Sequence, residues 1–394
     1  MTHSSYAAAD ALLDPLTHAD GSADDVWREM RDRHPWVRHE PDGYPAFWSV
    51  TRYQDVRSVY ADPERFSSAG GVLLRAYVNG EDPGAGLTLA LTDPPRHSSL
   101  RTILAPHFNE RNARALADRL RADVRDVLFR AAESGEFDFV HDVAGRLSSL
   151  LIARLLGVPD ADLDTAVRWI EEAFAAAKPM TSHVPLTRYV IDLMEQRDKG
   201  PSDDAISLLL EGEVDEELLT ETEVLLNCEN LLGASENAGL SLAAGMAALV
   251  AHPEQWHDLR EHPEIQASAV EEILRWGSSA THSMRTATSD MEREGCRIRK
   301  GERVVLWVRS ANRDEREFEG PEKFDLRRKP NRHLALGFGP HVCIGQIMAR
   351  HQSRILLEEL VTSVAAFEQT GPVTPLASIA VNGPARLPMR LALR

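Results

Sequence analysis

Apolar residues recur at helical spacing through most of the chain, and a period of two shows in only a few short stretches. Trp36 to Val50 alternates around Pro41-Asp42-Gly43, which predicts a β-hairpin. Residues 51–61 return to helical spacing through Tyr53, Val56, Val59 and Tyr60. Residues 67–92 are glycine-rich and aperiodic, and a loop of that length is usually functional or disordered. Helical patterns then run from about Arg96 to Gly277, with breaks at Gly135-Glu136, Val158-Pro159, Lys178-Pro179 and Gly200-Pro201. Short strands are expected near Arg297–Ile298 and Val304–Val308, joined by Lys300-Gly301, and again in the last 25 residues or so. No repeat or βαβ alternation is seen. The pattern predicts a mainly α fold with a small β portion, residues 1–394 forming one domain.

Two helices carry more than packing information. The first opens on Thr220-Glu221-Thr222-Glu223, a capping-box pattern, and runs to about Ala251 before His252-Pro253. At 1.5 Å per residue that is roughly 45 Å. It is apolar almost all round, so it should be buried. Yet its middle reads Gly233-Ala234-Ser235-Glu236-Asn237. Glycine weakens a helix and a buried carboxylate needs a partner, so the segment fits either a functional site or a close helix contact with a structural ion pair. The second helix starts at Pro263, ends at Gly277, and places Glu272 and Arg275 on one face, which alone reads as an ordinary exposed pair.

Charge and cysteine content narrow the classes. With 44 basic against 61 acidic residues the net charge is −17, which argues against nucleic acid or an anionic membrane as partner. Three cysteines (Cys228, Cys296, Cys343) give no disulfide framework and fit a reducing compartment. The N-terminal stretch lacks a signal-peptide pattern, and no apolar run reaches the ~18 residues of a membrane span. A cytoplasmic location is expected.

The densest chemical signal is Leu334 to Gly345, LALGFGPHVCIG, followed at once by an apolar helical pattern. Unpaired N–H groups at a helix start favour a thiolate, and flanking glycines admit a bulky ligand. Spacing alone leaves Cys343 open between a small buried hydrophobe and a ligand. Zinc at His341-x-Cys343 is a further alternative, but no second Cys/His pair stands at finger spacing.

Taken together, these stretches resemble the cytochrome P-450 family of heme-thiolate monooxygenases over nearly the whole chain. Glycines stand six and four before Cys343 and two after it, with His341 two before. Glu272 and Arg275 match the family's Glu-x-x-Arg pair, whose network partner corresponds to Arg328. Asp93-Pro-Pro-Arg-His97-Ser-Ser-Leu-Arg101 matches a helix that binds a heme propionate, and Arg285 and His341 match further propionate ligands. The resemblance implies heme b with Cys343 as axial thiolate, and His97, Arg101, Ala234, Arg285, Phe338, His341 and Gly345 around it. It also implies a distal pair, Glu236 and Asn237, and electrons from a ferredoxin and its reductase docking near Arg101, Arg350 and Arg354.

Two positions depart from the family pattern. Leu336 stands where phenylalanine is usual, and Asn237 replaces the threonine that relays protons with its acidic neighbour. A carboxamide hydrogen-bonds but is a poor relay, so protons are expected by water from Glu236 or from a substrate hydroxyl. After Arg275 the run Ser278-Ser279-Ala280-Thr281-His282-Ser283 is polar. It predicts a small-molecule substrate with hydrogen-bonding groups, and the resemblance implies that this substrate is hydroxylated or epoxidised, in secondary metabolism. Thr281 and His282 are the first candidate contacts, with Arg75 and Tyr77 of the long loop behind them; the alternative is that His282 points onto a neighbouring element. Peroxide-driven or non-inserting oxidation (phenol coupling) and a non-catalytic heme sensor are the rival functions.

Overall fold

The computed structural model of the protein describes residues 11–74, 82, 84–174 and 180–394. Arg75, Tyr77 and the break at Lys178-Pro179 lie outside the described residues. The expected hairpin forms from β1 (Trp36–His39) and β2 (Phe47–Val50), paired antiparallel with Trp36 opposite Val50. Helix α1 (Tyr53–Tyr60) follows, then β3 (Phe66–Ser67). The helical region begins with α2 (Arg96–Leu104) and α3 (Glu110–Ser134), closed by Gly135 at φ +78°. A short π-helical stretch, Phe139–Gly145, leads into α4 (Arg146–Leu155).

The long helix α5 spans Glu221–Ala251, and Thr220 and Glu223 complete the capping box on each other's backbone N–H groups. It is buried along much of its length, as its all-round apolar pattern requires. Close packing is built in at two glycines. A Cβ on Gly239 would lie 3.2 Å from the Gly145 Cα, and one on Gly245 would lie 2.6 Å from the Ile273 side chain. The π-helical stretch and helix α6 (Gln266–Gly277) thereby approach α5 along the half that follows Asn237.

Strands β4 (Ser283–Ala287) and β5 (Arg303–Leu306) complete a five-stranded sheet in the order β1-β2-β5-β4-β3. The β5–β2 pairing is parallel and the rest antiparallel. The expected hairpin joined at Lys300-Gly301 does not form. Cys296–Ile298 pairs with Met291–Arg293 instead, because Glu294 and Gly295 both take positive φ (+49° and +73°) and turn the chain there. Val308 opens a short helix rather than ending a strand. Helix α7 (Gln346–Ser363) follows the cysteine loop, and of the C-terminal strands Val364–Gln369 pairs with Pro388–Leu393, which pairs in turn with Glu136–Asp138. The largest apolar cluster unites α3 to α7, a second lies under the sheet, and the site sits between them. Among the described residues no helix is long and apolar enough to cross a membrane.

Candidate active site

Backbone geometry alone presents Cys343. Its N–H donates to Leu336 O at 2.8 Å and Gly337 N–H donates to Leu334 O at 2.9 Å, folding the loop back on itself. Gly339, at φ +71°, lies so close to the end of α1 that a Cβ there would sit 2.5 Å from Tyr60 O. Gly345 is the N-cap of α7, and its N–H bonds the Cys343 sulfur. Cys343 opens onto a cavity yet lies deep in the protein. Burial raises its pKa, against the opposing pull of the Gly345 N–H and of Arg101 and Arg350. The helix start thus assists the thiolate, as the sequence suggested, but does not outweigh desolvation.

Four groups able to carry positive charge converge beside this loop. His97 is buried, and neither ring nitrogen has a hydrogen-bond partner among the described residues. Its ring lies 4.0 Å from that of His341. Arg285 is buried and donates only to Ser283 Oγ (2.8 Å) and Met284 O (2.7 Å), with no ion pair among the described residues. Arg101 is half-buried and likewise has no ion pair among the described residues. Burial pulls the pKa of all four below their ordinary values, His341 to about 3, and their mutual repulsion adds to the effect on both histidines. Asp93, the carboxylate nearby, is already engaged by Ser67 Oγ and Ser68 N–H. Arg101 and Arg285 stay charged without a carboxylate partner among the described residues, and an anion beside them would offset that cost and draw protons onto the two histidines. Two propionates next to a thiolate supply that anion, so the residues present fit heme. Among the described residues no three His, Cys, Asp or Glu side chains group to hold a metal, which leaves the zinc alternative without a ligand set.

Across the cavity, α5 contributes Ala234, Asn237, Ala238, Ser241 and Leu242. Asn237 faces the cavity with its Oδ1 buried and without a partner among the described residues. Glu236 does not line the cavity. It is partly buried with no hydrogen bond or ion pair among the described residues, and burial raises its pKa. Ser241, one turn beyond Asn237, sits 3.0 Å from Asn237 O and 2.9 Å from Ser279 Oγ. Ser279 and Ser283 line the space, as the polar run after Arg275 suggested, and so do Ser241 and Tyr60, which sequence reasoning did not single out for the pocket. Ser241 had a signal, since position i+4 shares a face with Asn237; Tyr60 had none.

The cavity measures about 380 Å³ and takes in the space beside Cys343, His341 and Arg285 as well as that under α5. Its walls are mainly apolar, and none of the lining residues is Asp or Glu. The expected contacts fall unevenly. Thr281 is fully buried, its hydroxyl has no partner among the described residues, and it does not line the space. His282 borders the cavity, but both ring nitrogens are taken up by main chain, by Leu74 N–H and Ile379 O, each at 2.9 Å. Phe338 turns away from the cavity, under the Arg57 guanidinium at 4.6 Å, whereas Leu336, Gly337 and Gly345 line it.

The Glu272–Arg275 pair, read in isolation as exposed, is fully buried. Arg275 makes two 2.7 Å bonds to the Glu272 carboxylate and donates to Asn312 O and Pro321 O. Arg328 Nε and Asn331 reach the same carboxylate at 3.1 Å. On the cysteine side, Arg350 is held by Glu271 in bidentate fashion (2.7 and 3.0 Å), and Arg354 lies 3.8 Å from Glu358. The expected positive patch is therefore partly neutralised.

A cysteine presented by a glycine-rich loop, a cluster of basic side chains fit for two carboxylates and a long helix across the cavity define a heme-thiolate protein. The profile described as Cytochrome P450 matches residues 180–376. The chain is 33% identical to Cytochrome P450 NovI of Streptomyces niveus over 390 residues, 96% of each chain. It is 30% identical over 392 residues to the steroid C26-monooxygenase of Mycolicibacterium smegmatis, covering 96% of this chain and 95% of that one. Among solved structures, P450 OxyD, involved in the biosynthesis of vancomycin-type antibiotics, superposes with a TM-score of 0.90 at 30% identity, over 97% of this chain and 99% of that one. The protein belongs to the cytochrome P-450 family and is an oxidoreductase of its monooxygenase class.

Proposed function

We propose that the protein, acting as one domain, inserts oxygen into a small organic molecule that carries polar groups, by hydroxylation or epoxidation in secondary metabolism. The observation that supports this reading best is the mainly apolar cavity interrupted by Asn237, Ser241, Ser279 and Ser283, opposite Cys343 and free of carboxylates. A neutral substrate with hydrogen-bonding groups matches such walls better than a hydrocarbon or an ammonium ion. The involvement of OxyD in the biosynthesis of vancomycin-type antibiotics favours the same class.

When bound, heme b supplies the iron that activates dioxygen for insertion of one atom into the substrate. Cys343 would ligate it, while His97, Arg101, Arg285 and His341 would donate to its propionates. The Gly345 N–H tempers the donor strength of the sulfur. Asn237 gives and accepts hydrogen bonds at the distal wall without passing on a proton. Glu236, kept protonated to higher pH by burial, supplies protons through ordered water, or a substrate hydroxyl does so. Electrons come from a cytoplasmic ferredoxin and its reductase.

Asn237 also favours one second reading, peroxide-driven oxidation, in which the missing alcohol matters less. A panel of hydroxylated and unsubstituted aromatic and macrocyclic compounds, screened by substrate-induced spin shift and then turned over, tests both. Polar compounds should bind and turn over with ferredoxin, reductase and dioxygen. Preferential binding of hydrocarbons would sink the substrate class, and far faster turnover with peroxide would move the reaction to the second reading.

A further inference from the structure

His282 is a candidate substrate contact by its place in the sequence, but its bonds give it a different task. Strand β3 pairs with β4 through Phe66 opposite Ala287 and Ser67 opposite Thr286. The chain then leaves the sheet and returns, with Met284 N–H donating to Val72 O at 2.8 Å. In a continuing antiparallel ladder, the Leu74 N–H would next find the main-chain oxygen of residue 282. It finds the imidazole instead, donating to His282 Nε2 at 2.9 Å. On its other side the same ring donates from Nδ1 to Ile379 O at 2.9 Å. There it extends a second short pairing, Thr281 N–H to Ala380 O (3.0 Å) and Asn382 N–H to Ser279 O (2.8 Å). One side chain thus completes two broken ladders.

We propose that His282 is the positioning residue that sets the shape of the substrate cavity, by bolting residues 72–74 to the wall of residues 279–283 and to the backing segment 379–382. Val72 and Leu73 on one side, and Ser279, Ala280 and Ser283 on the other, line the cavity, so the bolt lies within its wall. Leu74, carried in by the bond, packs in the apolar cluster with Trp27 and Trp307, and the imidazole itself lies tilted against Trp307 with the ring centroids 5.3 Å apart. The ring must be neutral with its proton on Nδ1. An imidazolium would set an N–H against the Leu74 N–H. Its burial, which lowers the pKa to about 4, keeps it so.

The proposal rests on reading this cavity as the substrate site, and two iron-ligating probes separate the two claims. Imidazole is small enough to sit at the cavity centre, whereas 4-phenylimidazole reaches the walls. In holoenzyme His282→Phe, which keeps a ring against Trp307 but removes both bonds, the ratio of the 4-phenylimidazole Kd to the imidazole Kd should rise about 10-fold, the equivalent of one or two net hydrogen bonds. His282→Gln, which retains a donor and an acceptor, should bring the ratio back to within about 3-fold of wild type. An unchanged ratio in His282→Phe overturns the proposal, whereas no spectral response of the wild type to either probe would sink the site reading itself. If His282→Phe yields no holoenzyme, hydrogen exchange of the wild type decides. Leu74 N–H should be as protected as Met284 N–H, and exchange at the rate of an open loop overturns the bolt.

Discussion

The two walls of the cavity are built by different means. On the cysteine side a single 12-residue stretch makes its own bonds, with Cys343 N–H on Leu336 O and Gly337 N–H on Leu334 O, and needs only glycines and a following helix. On the opposite side the wall is assembled from distant pieces: Asn237 and Ser241 from α5, residues 279–283 after α6, and residues 72–74 held by His282. Locally encoded geometry fixes a ligand in one orientation whatever the rest of the pocket does. A wall joined by side chains of distant residues can change shape with single substitutions, which suits a surface that selects substrates.

Substitutions that act on one side only break or sharpen this contrast. The largest effect belongs under the cysteine side. Glu272→Gln leaves Arg275 and Arg328 charged and buried without their carboxylate, at a cost of ~3–5 kcal/mol. It should appear as loss of holoprotein and of cooperative unfolding, and near-wild-type stability would show the network to be dispensable. Next comes the opposite wall. His282 has its pKa lowered to about 4 from 6.5, so between those values the unfolded chain binds the additional proton. Its contribution is complete above pH 6.5 and is lost as pH falls toward 4, in total roughly 3 kcal/mol. His18, across Trp307, opposes protonation of the ring further. His282→Gln should therefore flatten the melting temperature against pH between about 4 and 6.5, and an unaltered slope would exclude a buried neutral imidazole.

Smaller again is the effect of one propionate donor. Arg285→Met removes a charge-assisted bond of ~1.5–3 kcal/mol, which should speed heme loss to an excess of a scavenging protein about 10- to 100-fold while leaving the thiolate spectrum intact. The smallest is Asn237→Thr. Product formation should stay similar or fall, measured as product per electron consumed. A large gain would mark Asn237 as a tolerated defect rather than part of a substrate-dependent proton supply.

The same contrast explains what could be read from the chain alone. The capping box at Thr220, the glycines around Cys343 and the ends of α5 are local patterns, and they stand where the sequence placed them. Glu272 and Arg275 looked exposed because three-residue spacing does not report burial; only Arg328, 53 positions after Arg275, and the carbonyls of 312–323 reveal the network. His282 was legible as polar but not as fully bonded, since its partners lie 208 and 97 positions away. The Arg297–Val308 hairpin failed for a related reason, as both its strands found other partners. Ser241 was within reach of helical spacing, but nothing near Tyr60 announced that it would meet the cavity.

The central claim is that Cys343 and the unpaired cations beside it exist to hold heme through a thiolate. The reduced carbon monoxide difference spectrum of the purified protein tests it most directly. The account predicts the red-shifted Soret band of thiolate-ligated heme, lost in Cys343→His. A band at the position typical of histidine-ligated heme in the wild type, or one that survives Cys343→His unchanged, would contradict it.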